Sequence, residues 1–144
     1  MALGNVFDIA GSAMTAQSVR LNTTASNLAN AQTASSSANE VYRGRHPVFG
    51  AVFKDAADFG LKQNDVESQA GVQVLGIVES DAPLQQRYEP HHPKANEEGY
   101  VFYPNVNVVE EMTNMISASR SFQTNVEVMN SAKQMVQRVL TLGQ

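Results

Sequence analysis

The chain has no cysteine and no tryptophan, and its 10 Lys and Arg are outnumbered by 14 Asp and Glu, for a net charge of -4. Without cysteine there is no disulfide to staple the fold and no thiolate for catalysis or metal binding. Without clustered basic residues there is no groove suited to phosphates, so nucleic acid is not an expected partner. No run of 18 apolar residues is present, which excludes a membrane-spanning helix, and the first twenty residues lack the basic and apolar segments of a cleaved secretory signal. Breakers are unevenly spread: neither glycine nor proline occurs between Asn105 and Leu142. Sites of chemistry are also missing. There is no GxSxG elbow and no phosphate loop. The adjacent Glu110 and Glu111 would project about 100° apart from a helix and cannot flank one substrate. His91 and His92 sit between Pro90 and Pro93, where neighbouring side chains diverge, so a proline-bracketed loop is a better reading than a metal site. No catalytic residue, metal, cofactor or small-molecule substrate is expected.

What is present is helical periodicity at both ends. From Val108 onward, positions spaced alternately by three and four carry Val108, Met112, Met115, Ser119, Phe122, Val126, Met129, Lys133, Val136 and Leu140, a coiled-coil seam interrupted at Ser119 and Lys133. Asn107 followed by Glu110 reads as a capping box at the start, and Gly143 marks the stop. Such a rod is roughly 50 Å long, more than a compact chain of this size can cover, so it calls for a partner. Arg120, among the small residues around Ser119, suits a directional contact with a carboxylate.

Residues Leu3 to Asn30 repeat the spacing through Phe7, Ala10, Met14, Gln17, Leu21, Thr24 and Leu28 and predict a second helix. Its other face is almost uncharged. Before Glu40 only Asp8 and Arg20 carry charge, and the rest is Ser, Thr, Asn, Gln and Ala. Asn27 and Asn30 share a face near the end of this helix. Two readings stay open for them: they end the helix, because Asn competes with helical backbone, or they exchange hydrogen bonds with a neighbouring subunit.

Between the helices, residues 41–53 and 71–80 are rich in valine, aromatics and glycine and read as strands, as does Tyr100–Tyr103. Pro47 and Gly50 make the first an edge strand or bulged ribbon. Residues 54–70 and the segment from Tyr88 to Gly99 read as exposed loops. The expected fold is therefore α+β, mainly α: two long terminal helices with a small β-rich middle. The expected divisions are residues 1–38, 39–104 and 105–144.

Three stretches carry a family likeness. RLNTTASNLANAQT, with Asn27, Leu28, Ala29, Asn30 and Thr33, resembles the N-terminal signature of the bacterial flagellar axial proteins that build rod and hook. PNVNVVEEMTNMISASRSFQTNVEVMNSAKQM is similar to their C-terminal motif, and YEPHHPKANEEGYVFYPNVN resembles the segment that leads into it in proximal-rod members. One departure is that Thr33 runs into Ala34, Ser35, Ser36 and Ser37 where many relatives have Pro-Gly-Tyr. The resemblance implies a structural subunit of the proximal rod in the periplasm, exported without a cleaved signal through the flagellar type III apparatus. It also implies that the two terminal helices form an antiparallel, coiled-coil-like pair that assembles with copies of itself and sister rod proteins around an export channel. The residues expected to carry assembly are Asn27, Leu28, Asn30 and Thr33 at the first helix end, Asn107 and Glu110 at the cap, and Met112, Met115, Arg120, Phe122, Val126, Met129 and Leu140 along the second helix. A secreted coiled-coil adaptor that captures one partner helix is the alternative.

Overall fold

The computed structural model describes residues 3–54 and 69–143. The element order is α1 (Leu3–Asn30), β1 (Arg45–Lys54), β2 (Gln69–Glu79), β3 (Gln85–Tyr88), β4 (Tyr100–Tyr103) and α2 (Val108–Leu142). Most of the segment expected as a loop at 54–70 lies outside the described residues.

Helix α1 tolerates its uncharged polar composition because those side chains bond to the helix itself. Ser12 donates to the Ile9 carbonyl, Thr15 to Gly11, Thr23 to Val19 and Asn30 to Ser26, at 2.8–3.0 Å. Hydroxyls folded back in this way need no water, so the helix can be packed on more than one side. It stops at Asn30, whose carbonyl receives both the backbone N–H (3.0 Å) and the hydroxyl (2.8 Å) of Thr33. Helix α2 starts at the expected cap: the Asn107 side chain accepts from the N–H groups of Val109 and Glu110. Glu110 and Glu111 in its first turn face the positive end of the helix dipole. At the far end Gly143 has φ −92°, so the helix stops there without the left-handed turn for which glycine is usually chosen.

The two helices run antiparallel. Arg20 of α1 donates to the Asn114 side chain of α2 at 2.9 Å, while the end of α1 and the start of α2 meet at the root of β1. The buried α2 positions are Glu111, Ala118 and Ala132. These stand one residue ahead of Met112, Ser119 and Lys133 in the expected seam, whereas Met115, Phe122, Met129 and Val136 keep their places, half-buried. Ser119 and Lys133 are therefore not interruptions; alanine occupies the true inner positions and lets the helix axes come close. Val126 flanks the contact, half-buried.

Strands β1 and β2 form a two-stranded antiparallel ribbon, with Arg45 opposite Glu79 and Lys54 opposite Gln69. The register shifts between Val48 and Phe49, which face Gly76 and Val74, so Leu75 is the extra residue of a bulge. A Cβ on Gly50 would stand 3.1 Å from the Leu75 side chain, which is why glycine fits beneath the bulge. Strands β3 and β4 make a second, shorter antiparallel pair, extended by an isolated bridge between Ser35 and Phe102. Sequence reading missed β3, whose four residues are all exposed. Gly99 before β4 has φ +82°, and any Cβ there would meet the Tyr88 ring at 2.8 Å. That ring packs edge-on against Tyr100, 5.2 Å between centroids.

Candidate assembly surfaces

The expected assembly residues at the end of α1 fall into two environments. Asn27 is 1% exposed, and its amide is engaged inside the chain. Its Oδ1 accepts from the Arg45 N–H (2.9 Å) and from the Tyr42 hydroxyl (2.8 Å), and its Nδ2 donates to the Arg45 carbonyl (2.8 Å). One primary amide thus meets both backbone groups of the first residue of β1, as a neighbouring strand would. Asn27 therefore neither ends the helix nor faces outward; it roots the ribbon on α1. Asn30, with Thr33, does end the helix. Leu28 is half-buried and Thr33 is exposed.

On α2 the expected residues again divide. Met115, Phe122, Val126 and Met129 are half-buried along or beside the α1 contact. Glu110 and Arg120 are exposed, Met112 is 51% exposed and Leu140 67%. Met112 is part of a larger apolar stripe that sequence reading passed over, with Val109 (72%) and Ile116 (56%) one helical turn to either side. A second stripe comprises Val128, Met135, Val139 and Leu142, also exposed. At 100° per residue the two stripes lie on opposite flanks of the α1-facing seam, each roughly 100° from it, one near the start of α2 and one near its end. Both stripes keep the three-four spacing, so their signal lies in the sequence beside that of the seam.

The end of α2 is further exposed by length. With Arg20 opposite Asn114, the first turn of α1 lies beside residues near 130, and from Gln137 to Gly143 every residue is exposed. These last two turns, roughly 10 Å of helix, extend past Leu3.

A cleft of about 720 Å³ opens at the opposite end, lined by Gln85, Arg87, Tyr103, Val106 and Asn107 among others. The Arg87 guanidinium stacks 5.0 Å from the Tyr103 ring centre, and the Tyr103 hydroxyl donates to Glu89 at 3.1 Å. Desolvation first, and then the Glu89 carboxylate, raises the Tyr103 pKa above the usual phenol value, so it stays protonated and keeps donating. Among the described residues no three of His, Asp and Glu come together as a metal would require. His92 Nδ1 is occupied as the acceptor for the Lys94 N–H, 3.1 Å away, which braces the loop between β3 and β4.

Comparison with known proteins finds two family models along the chain. Residues 7–34 match the family described as flagella basal body rod protein, and residues 97–142 match the flagellar basal body rod FlgEFG protein C-terminal family. The first match covers most of α1, and the second covers β4 and all of α2. Over the whole length, the chain is 50% identical to the flagellar basal-body rod protein FlgC of Escherichia coli O6:H1, and 49% identical to that of Salmonella typhimurium, covering all of each. It is 34% identical to the FlgC of Borreliella burgdorferi, over all of this chain and 99% of that one.

Proposed function

The chain belongs to the FlgC family of flagellar basal-body rod proteins, and from that premise we propose that it is a structural subunit of the proximal rod, built to be finished by its neighbours. The observation that carries this reading is the pair of apolar stripes on opposite flanks of α2. Burial of one large apolar side chain stabilises by about 1.5–3 kcal/mol, so the seven residues of the stripes hold a large association energy in reserve. The stripes differ in composition and position. Contacts between unlike patches are heterologous, and such contacts build rings or open helical assemblies instead of an isologous dimer. Copies of this chain and sister rod proteins with the same paired helices are the partners. The assembled shaft stands in the periplasm around the export channel and transmits torque through interlocked helices.

Export through the flagellar type III apparatus, without a cleaved signal, fits the same residues. A chain with no cysteine has no crosslink to open before it is threaded. The core supports the same reading: among the described residues the buried apolar side chains are alanines, valines and Pro104, which leave few large side chains to extract on unfolding.

Sedimentation at rising concentration, with the purified chain alone and mixed with sister rod proteins, tests the proposal. A rod subunit gives species that keep growing with concentration, whereas an adaptor that captures one helix saturates at a closed complex.

A further inference from the structure

The ribbon formed by β1 and β2 touches α1 by both of its edges. At the root, Asn27 bonds the N–H and carbonyl of Arg45, which point away from β2 at the outer edge of β1. Toward the tip, the Val72 N–H donates to the Ser12 hydroxyl of α1 at 3.1 Å. Val72 stands opposite Ala51, and its N–H points away from β1, at the outer edge of β2. Asn27 and Ser12 are fifteen residues apart, about 22 Å along α1, and about 60° apart around it. The ribbon between the same two points covers about 20 Å, so the spans match.

A flat ribbon cannot present opposite edges to one helix; a twisted one can. The Leu75 bulge lies between the two attachments, where an added residue increases the local right-handed twist. A second amide completes the root. Asn105, just ahead of α2, accepts from the Gly44 N–H at 2.8 Å and donates to the carbonyls of Ser80 (3.1 Å) and Ala82 (2.8 Å). Consecutive residues at the start of β1, Gly44 and Arg45, are thereby held by amides attached to the two different helices. The chain leaving β2 is held by the same Asn105.

We infer that Asn27, Asn105 and Ser12 form a two-point lock that fixes the twisted ribbon to the helix pair, so that ribbon and helices turn as one body. A single attachment leaves a ribbon free to pivot about it, whereas two attachments on opposite edges remove that freedom. The same bonds occupy a backbone group on each open edge and so hinder strand addition by another chain. The lock is internal to the subunit and does not depend on what the subunit joins.

The absence of native cysteine makes the test direct. Spin labels on the full-length chain at Gln73→Cys in the ribbon and Gln123→Cys in α2 report the distance between the two bodies. The parent gives a narrow distribution. Asn27→Ala with Asn105→Ala broadens it, with α-helical circular dichroism retained. Amide exchange separates the two points: Asn105→Ala speeds Gly44 exchange roughly tenfold and leaves Val72 unchanged, and Ser12→Ala does the reverse. Ser12→Ala places a better helix former in α1 and keeps the test open if the double variant fails to fold. A distribution as narrow in the variants as in the parent, or Gly44 and Val72 exchange that does not respond to its own partner, would overturn the lock.

Discussion

Helices α1 and α2 share one spacing pattern and one contact, yet one is finished within the subunit and the other is not. Helix α1 is packed against α2 on one side and against the ribbon on another, the hydroxyls of Ser12, Thr15 and Thr23 bond to its own carbonyls, and from Gly4 to Asn30 its most exposed large apolar residue is Ile9, at 39%. Helix α2 meets α1 along a single seam and leaves Val109, Met112, Ile116, Val139 and Leu142 more than half exposed. The difference teaches that hydrophobic periodicity alone does not tell a core from a docking surface. What separates them is how many sides of a helix its own chain can reach.

The largest expected effect comes from shortening the unfinished helix. Deleting residues 140–144 removes two leucines that stand 67% and 86% exposed and costs about 4 kcal/mol at each contact they would make, roughly a thousandfold rise in the concentration needed for assembly. The thermal midpoint of the isolated subunit stays within a few degrees of the parent. Loss of motility with secretion of the truncated chain intact is the expected cellular result, read by swimming and export assays.

Asn27→Asp strikes the finished side instead. The carboxylate cannot donate to the Arg45 carbonyl and leaves a charge at a site 1% exposed, for a loss of about 3 kcal/mol in folding stability by urea denaturation. Asn30→Asp, at the C-terminal end of α1, loses the bond to the Ser26 carbonyl and sets a charge at the negative end of the helix dipole, for a smaller loss of about 1 kcal/mol in the same measurement. Equal losses at the two positions would erase the distinction drawn between them.

A paired substitution on α2 sharpens the contrast at smaller scale. Met115→Ala, on the seam, lowers folding stability by about 2 kcal/mol, while Met112→Ala changes it by less than about 0.5 and weakens assembly instead. At the cap, Asn107→Ala removes the acceptor for the Val109 and Glu110 N–H groups and costs about 1 kcal/mol, read as a lower thermal midpoint.

Much of this architecture was legible in the sequence. Both helices follow from spacing and from the breaker-free stretch after Asn105; Pro47 and Gly50 point to an edge strand or bulged ribbon, and β1 is an edge strand whose bulge places its extra residue, Leu75, on β2. Half of the α2 seam was legible: Met115, Phe122, Met129 and Val136 keep their expected places. The other half was displaced by one residue because Met112 reads as more apolar than Glu111 and sets a phase that passes over Ala118 and Ala132, although close approach of two helices favours the small residue. Strand β3 was missed because Gln85, Gln86 and Arg87 carry no apolar alternation; their pairing with β4 is fixed by backbone register. The role of Asn27 was hidden because its partner Arg45 is eighteen residues away, and a buried amide looks in sequence like any helix-ending asparagine.

Hydrogen exchange on α2, compared between dilute subunit and assembled material, tests the contrast most directly. The account predicts that amides from Gln137 to Gly143 exchange fast in the dilute chain and become protected on assembly, while those of α1 from Ala10 to Asn27 are protected in both. Protection of residues 137–143 already present in the dilute chain, or no gain on assembly, would contradict it.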